Sequence, residues 1–174
     1  MKSKKQNRSK LLQQVPELNQ LADGADHIDI KTVTGELSMR QFLANMFSYM
    51  PRWMQILYAV RWFFVRLLGM KQEGIPKGET LTPDGIPFEV GKWATFFRVV
   101  KAKEGEHWFA AASDTHLTAH LGLITEPLTG NEKRFQVVTL VHYHHWTGPL
   151  YFNVIRPFHH IVVNQMMKAA VQEG

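Results

Sequence analysis

The sequence predicts a single α+β domain in which a long C-terminal helix lies across a curved antiparallel sheet. Three observations carry that prediction. Four stretches of the second half alternate apolar and polar residues with the period of two that strands require. Two helical stretches follow a lone early strand. After the last strand-like stretch, a long amphipathic segment is left over to cover a sheet that must bury at least one face.

Residues 1–20 read as a basic, solvated, mobile arm, with Lys2, Lys4, Lys5, Arg8 and Lys10 and none of the apolar run of a secretory signal. Residues 21–174 read as one domain. Within it, Ala25 to Val33 alternates through Ile28, Ile30 and Val33 as a half-buried strand, which Thr34-Gly35 ends. Ser38 is the expected N-cap of a helix whose apolar positions are Phe42, Leu43, Met46, Phe47 and Met50. Pro51 stops that helix by disfavouring helical geometry at the residue before it.

A second helix is expected over Arg52 to Leu68, ending at Gly69. It is rich in Trp, Phe, Leu and Val, but Arg61 and Arg66 interrupt it and it is shorter than the ~20 apolar residues of a span. A buried amphipathic helix is the reading, with an interfacial helix as the alternative. Glycines and prolines make Lys71 to Pro87 a loop. Strands follow over Trp93–Lys101, His107–Ser113, His116–Thr125 and Phe135–His145, with a short strand near Phe88 ahead of them. Gly148-Pro149 breaks the last strand, and Leu150 to Glu173 forms the terminal helix. Its apolar stripe reads as Tyr151, Ile155, Phe158, Val162, Met166 and Ala169/Ala170, with Pro157 placed to kink it.

With 174 residues the chain can bury about 70% of its unfolded surface and needs no staples. It has no cysteine, which removes disulfides, thiolate metal sites and cysteine nucleophiles, and fits a reducing, cytoplasmic setting. A net charge of +5 and a pI near 9.5 give weak attraction to anionic partners. The aromatic residues do not interleave with a basic patch, so nucleic acid is not an expected partner. No phosphate-binding loop, dinucleotide glycine fingerprint or nucleophile elbow occurs, and no cofactor is expected.

Several short blocks carry a family likeness. They are Tyr49-Met50-Pro51-Arg52-Trp53 leading into Leu57 and Arg61, then Leu68-Gly69-Met70-Lys71, Asp114-Thr115-His116-Leu117, and Thr139-Leu140-Val141-His142. The most specific block is Gly148, Tyr151-Phe152 and Pro157-Phe158-His159. With these blocks in this element order, the chain resembles the helix-grip superfamily of START lipid-transfer domains, polyketide cyclases and plant pathogenesis-related proteins. Within it, the chain is similar to an uncharacterised, mainly bacterial family of unknown function. The resemblance implies a sheet gripping a helix, with a cavity between them and no assigned chemistry.

Such a cavity would be mostly apolar with a few fixed polar groups, and would hold a small apolar or amphipathic, lipid-like molecule. The residues expected to line it are Trp53, Arg61, Trp93, Phe97, Tyr151, Phe158 and His159. A cyclase- or hydrolase-type enzyme is the first alternative, with Asp114 orienting His116 and His142 nearby, because a carboxylate raises the basicity of an imidazole it holds. His116, His142 and His144 could also converge on a metal if their strands pair in the right register. The second alternative is a peripheral membrane or partner-binding protein that uses the helix over residues 53–68.

Overall fold

The computed structural model describes residues 9–67 and 81–172, apart from the side chains of 61–65 and 67. The start of the basic arm, the expected helix end at Leu68-Gly69 and residues 71–80 of the expected loop lie outside the described residues. Helix α1 spans Pro16–Ala22, strand β1 His27–Gly35, helix α2 Met39–Ser48 and helix α3 Arg52–Leu67. A 3₁₀ turn over Pro83–Gly85 leads to strands β2 (Trp93–Ala94), β3 (Phe97–Lys103), β4 (His107–Ser113), β5 (Leu117–Pro127) and β6 (Lys133–Tyr143). Helix α4, Thr147–Gln172, closes the chain.

The six strands form one curved antiparallel sheet in the order β1-β6-β5-β4-β3-β2. Strands β2 to β6 meander, and β1 reaches across the sequence to pair with β6 along its whole length. A register shift between Val99 and Lys101 in β3 adds one residue to that strand and bends the sheet locally. The predicted α+β architecture of a curved sheet, a long C-terminal helix and two helices after the first strand is the one observed.

On the inner face, the one α4 covers, Trp108, Ala110, Leu121, Leu123, Phe135 and Val137 alternate inward along their strands. Helix α2 packs there beside the second half of α4, through Phe42, Leu43, Met46 and Phe47 and through Val163, Met167 and Ala170. Phe42 stacks on Phe135 with ring centroids 4.5 Å apart at 12°. So α4 shares the cover with α2 and is not the sole lid. Ser38 caps α2 as expected, its side chain accepting from the Gln41 amide at 3.1 Å.

The outer face is covered too, which corrects the reading of a solvated arm for residues 9–20; residues 1–8 lie outside the described residues. Residues 9–14 are helical, α1 follows after Val15, and Leu11 and Leu18 are buried against Phe109, Ile124, Val138 and Leu140. The basic residues mask a segment whose apolar members recur at helical spacing. β1 therefore buries both faces: Ile28 and Ile30 turn to this outer layer, while Val33 turns inward.

Three further boundaries differ. α4 begins at Thr147, because a proline in the first turn loses no helical hydrogen bond, so Pro149 starts the helix where it was expected to end a strand. The expected strand from Trp93 divides into β2 and β3 at a tight turn in which Thr95 takes φ 58°. Phe88 lies in no strand; its ring is covered at 4.4 Å by the Arg40 guanidinium, which also bonds the Ile86 carbonyl and Glu104.

Candidate functional site

The two-residue period of β1 sends His27, Asp29 and Lys31 to the inner face, opposite Val141, Thr139 and Val137 of β6. Helix α4 passes over this end of the sheet and lowers His159 and His160 onto them. Lys31 Nζ lies 2.9 Å from Asp29 Oδ2, and His160 Nδ1 lies 3.1 Å from the same oxygen and 3.2 Å from Lys31 Nζ. That ring nitrogen can thus donate to the carboxylate in its Nδ1–H form or accept from the ammonium in the other tautomer. Beside this triad, Thr139 Oγ1 is 3.3 Å from His159 Nε2.

Burial shapes the electrostatics. It pushes the Asp29 carboxyl up, but the Lys31 hydrogen bond and charge, with His160 and His27, outweigh it and hold the group below the usual carboxylate range. Burial, and then the neighbouring His160, lower His159 to about 4, so it is neutral at pH 7 and can accept or donate one hydrogen bond.

Next to the polar cluster is an apolar wall. Tyr151 and Phe152 are buried and Ile155 half-buried, against Leu117, Ala119, Val141 and Tyr143. The His27 ring joins the two parts, 4.9 Å from Phe152 and 6.1 Å from His160. The inner face is therefore divided: a dry half under α2 and the end of α4, and an amphipathic half under the start of α4. The second half can offer hydrogen bonds, a cation and a neutral imidazole next to aromatic surface.

Of the residues expected to line a cavity, the structure brings Tyr151 and His159 to this half. Phe158 turns outward, because the inward stripe of α4 runs through Tyr151/Phe152, Ile155, His159, Val163 and Met167; it keeps Tyr151, Ile155 and Ala169/Ala170 of the expected stripe and is shifted by one residue at Phe158, Val162 and Met166. Trp93 is exposed on the edge strand β2, five strands from β1, and Phe97 is half-buried against Phe96 and Phe47 on β3, four strands from β1. Trp53 is half-buried on α3, and the Arg61 side chain lies outside the described residues.

The expected catalytic group Asp114, His116 and His142 is not assembled. Asp114 Oδ1 accepts from the backbone amides of His116 at 2.7 Å and Leu117 at 2.9 Å, the bonds of a turn-forming aspartate, so it does not hold the imidazole. His116 Nδ1 pairs with Thr147 Oγ1 at 2.6 Å, at the start of α4. His142 faces the outer layer and donates through Nε2 to the Leu21 carbonyl at 3.0 Å. His144 bonds Thr118 Oγ1 at 2.7 Å, so the three histidines proposed as metal ligands have separate partners. Among the described residues, no three His, Asp or Glu side chains gather around a common point that could hold a metal ion.

His27, Asp29, Lys31, Thr139 and His160 are absent from the sequence-based site. One signal could have found them. Ile28 and Ile30 are in phase with each other and Val33 is not, so β1 must bury both faces, and its charged positions then lie under something. A family model described as "Protein of unknown function (DUF2867)" matches residues 21–166. Neither the curated proteins nor the solved structures contain a significant match to the chain.

Proposed function

The chain belongs to that family of unknown function, and from this premise we propose that it is a helix-grip binding module related to the START and polyketide-cyclase superfamily. It holds a small apolar or amphipathic molecule between the β5-β6-β1 end of the sheet and the first half of α4. The apolar body of the ligand rests on Tyr151, Phe152 and Ile155, and its polar end meets Lys31, Thr139 and His159.

The observation that carries this reading is the Asp29–Lys31–His160 cluster with Thr139–His159 beside it. Desolvating an ion costs several kcal/mol, and a buried pair is often replaceable by apolar residues with no loss of stability, so packing alone does not call for these groups. Ionisable residues perturbed by burial and by a specific charge partner, next to an apolar wall, are the usual make-up of a binding site. Hydrolase- or cyclase-type chemistry is the second reading. The observation in its favour is the Asp29 Oδ2–His160 Nδ1 contact at 3.1 Å, the Asp/His pairing that Asp114 does not make.

Native mass spectrometry of the freshly purified protein is expected to show a species heavier than the chain by one small molecule. Binding of cis-parinaric acid, followed by its fluorescence, is expected to weaken by about tenfold in Ile155→Trp, which narrows the wall. Binding should be unchanged in His116→Ala, whose ring points to Thr147. Protein at its bare mass that also leaves the probe dark would refute the binding role.

A further inference from the structure

Helix α4 carries an apolar stripe on the side turned away from the sheet. Trp146, just before its first turn, and Leu150, Val154, Phe158 and Ile161 recur at helical spacing, so they line up along one side. They are 72, 50, 39, 44 and 52% exposed, respectively. Pro157 is exposed among them. Fifteen residues of helix give the stripe a length of about 22 Å. Single exposed apolar residues are ordinary, but five in line form a contiguous patch.

The start of the stripe is held in place. The Thr147 hydroxyl lies 2.6 Å from His116 Nδ1 and 3.0 Å from His145 Nδ1. Gly148 lies so close to the sheet that a Cβ there would be 2.8 Å from the His116 carbonyl. Trp146 is therefore presented from a pinned turn.

Charge identifies the occupant. The whole of α4 contains no aspartate or glutamate, Arg156 is exposed on it, and Lys168 is exposed two turns beyond Ile161 on the stripe's own side. Helix α3, which lies against α4, is likewise free of acidic residues and exposes Arg52, Ile56 and Val60. A second copy docking through this face would find basic residues such as Lys168 and Arg52 but no carboxylate in either helix to pair with them. We propose that the outer side of α4, with α3 beside it, docks on an anionic lipid surface. The apolar stripe enters the boundary between headgroups and acyl chains, Trp146 sits at headgroup level, and the basic residues meet anionic lipid. The contact is peripheral, since no helix among the described residues is long and apolar enough to cross a membrane.

Co-sedimentation of the full chain with vesicles tests this. Vesicles of equal parts phosphatidylcholine and phosphatidylglycerol are expected to bind it about tenfold more tightly than phosphatidylcholine alone, an advantage that high salt removes. The double substitution Leu150→Glu with Phe158→Glu should weaken binding about tenfold while leaving the urea midpoint unchanged, because both side chains are exposed. Should that variant fold poorly, Lys168→Glu tests the charge half, with an expected loss of about fivefold. Three results would overturn the proposal: wild-type protein that stays in the supernatant with the mixed vesicles, equal binding to both compositions, or a dimer in sedimentation velocity that the double substitution dissolves.

Discussion

His159 is where protonation bears most heavily on the inner face. Its ring is neutral in the folded protein until pH falls to about 4, because burial and the adjacent His160 oppose a second charge there, whereas in the unfolded chain an imidazole protonates near 6.5. Between those two values the unfolded state binds the extra proton, so stability falls as pH falls, and below about 4 the folded ring protonates as well and the loss levels off. The separation corresponds to up to about 3 kcal/mol. His120, lowered to about 4 by burial and then by His142, adds a smaller loss of the same sign, reduced by its partial exposure. Urea midpoints measured from pH 7 to pH 4 should decline, and His159→Gln should flatten the decline by more than half; a wild-type midpoint that stays level would refute the buried neutral imidazole. Asp114 shows why such residues resist reading from sequence. A carboxylate two positions from a histidine serves equally to orient the ring or to hold the turn, and only the 2.7 and 2.9 Å bonds to backbone amides decide for the turn.

Among the elements, those set by local rules were legible. Ser38, Pro51 and the spacing of Phe42, Leu43, Met46 and Phe47 define α2 without reference to the rest of the chain. Replacing Ser38 with alanine should therefore cost about 1 kcal/mol, seen as a lower urea midpoint at pH 7, and Ser38→Asp should restore it, since aspartate caps equally well. No change in Ser38→Ala would show that the Gln41 amide finds another acceptor. What was not legible depends on partners distant in sequence. The pairing of β1 with β6 sets Asp29 opposite Thr139, a register fixed across more than a hundred residues and by no local signal. In the middle of α4 the inward stripe is shifted by one residue from the spacing of its apolar residues, because Phe158 is the more hydrophobic neighbour of His159, and hydrophobicity alone cannot foresee that a helix turns a histidine inward and a phenylalanine to the surface.

At the scale of the whole molecule, the sheet is a partition covered on both faces, and each cover buries a separate set of side chains. The inner cover, α2 and α4, encloses both the dry core and the amphipathic half; the outer cover consists of residues 9–14 and α1, most of which precede the stretch matched by the family model. The outer layer is hidden from a reading by composition because Lys10 and the basic residues that precede it dominate the charge pattern, while the stabilising residues are the few leucines that follow. Burying Leu11 and Leu18 contributes roughly 1.5–3 kcal/mol each, a large share of the 5–15 kcal/mol by which domains of this size are stable. Removing the whole outer layer would also bare Phe109, Ile124, Val138 and Leu140 and leave His142 without the Leu21 carbonyl. A chain shortened to start at Ala25 is thus expected to unfold at a markedly lower urea concentration, with a smaller slope because less surface is exposed on unfolding, and to aggregate through the bared outer face. The amphipathic half lies on the other side of the sheet, so whatever fraction of the shortened chain remains folded should keep its affinity for cis-parinaric acid. An unchanged midpoint would mean that the outer helices only rest on the sheet, and the fold would then stand on its inner face alone.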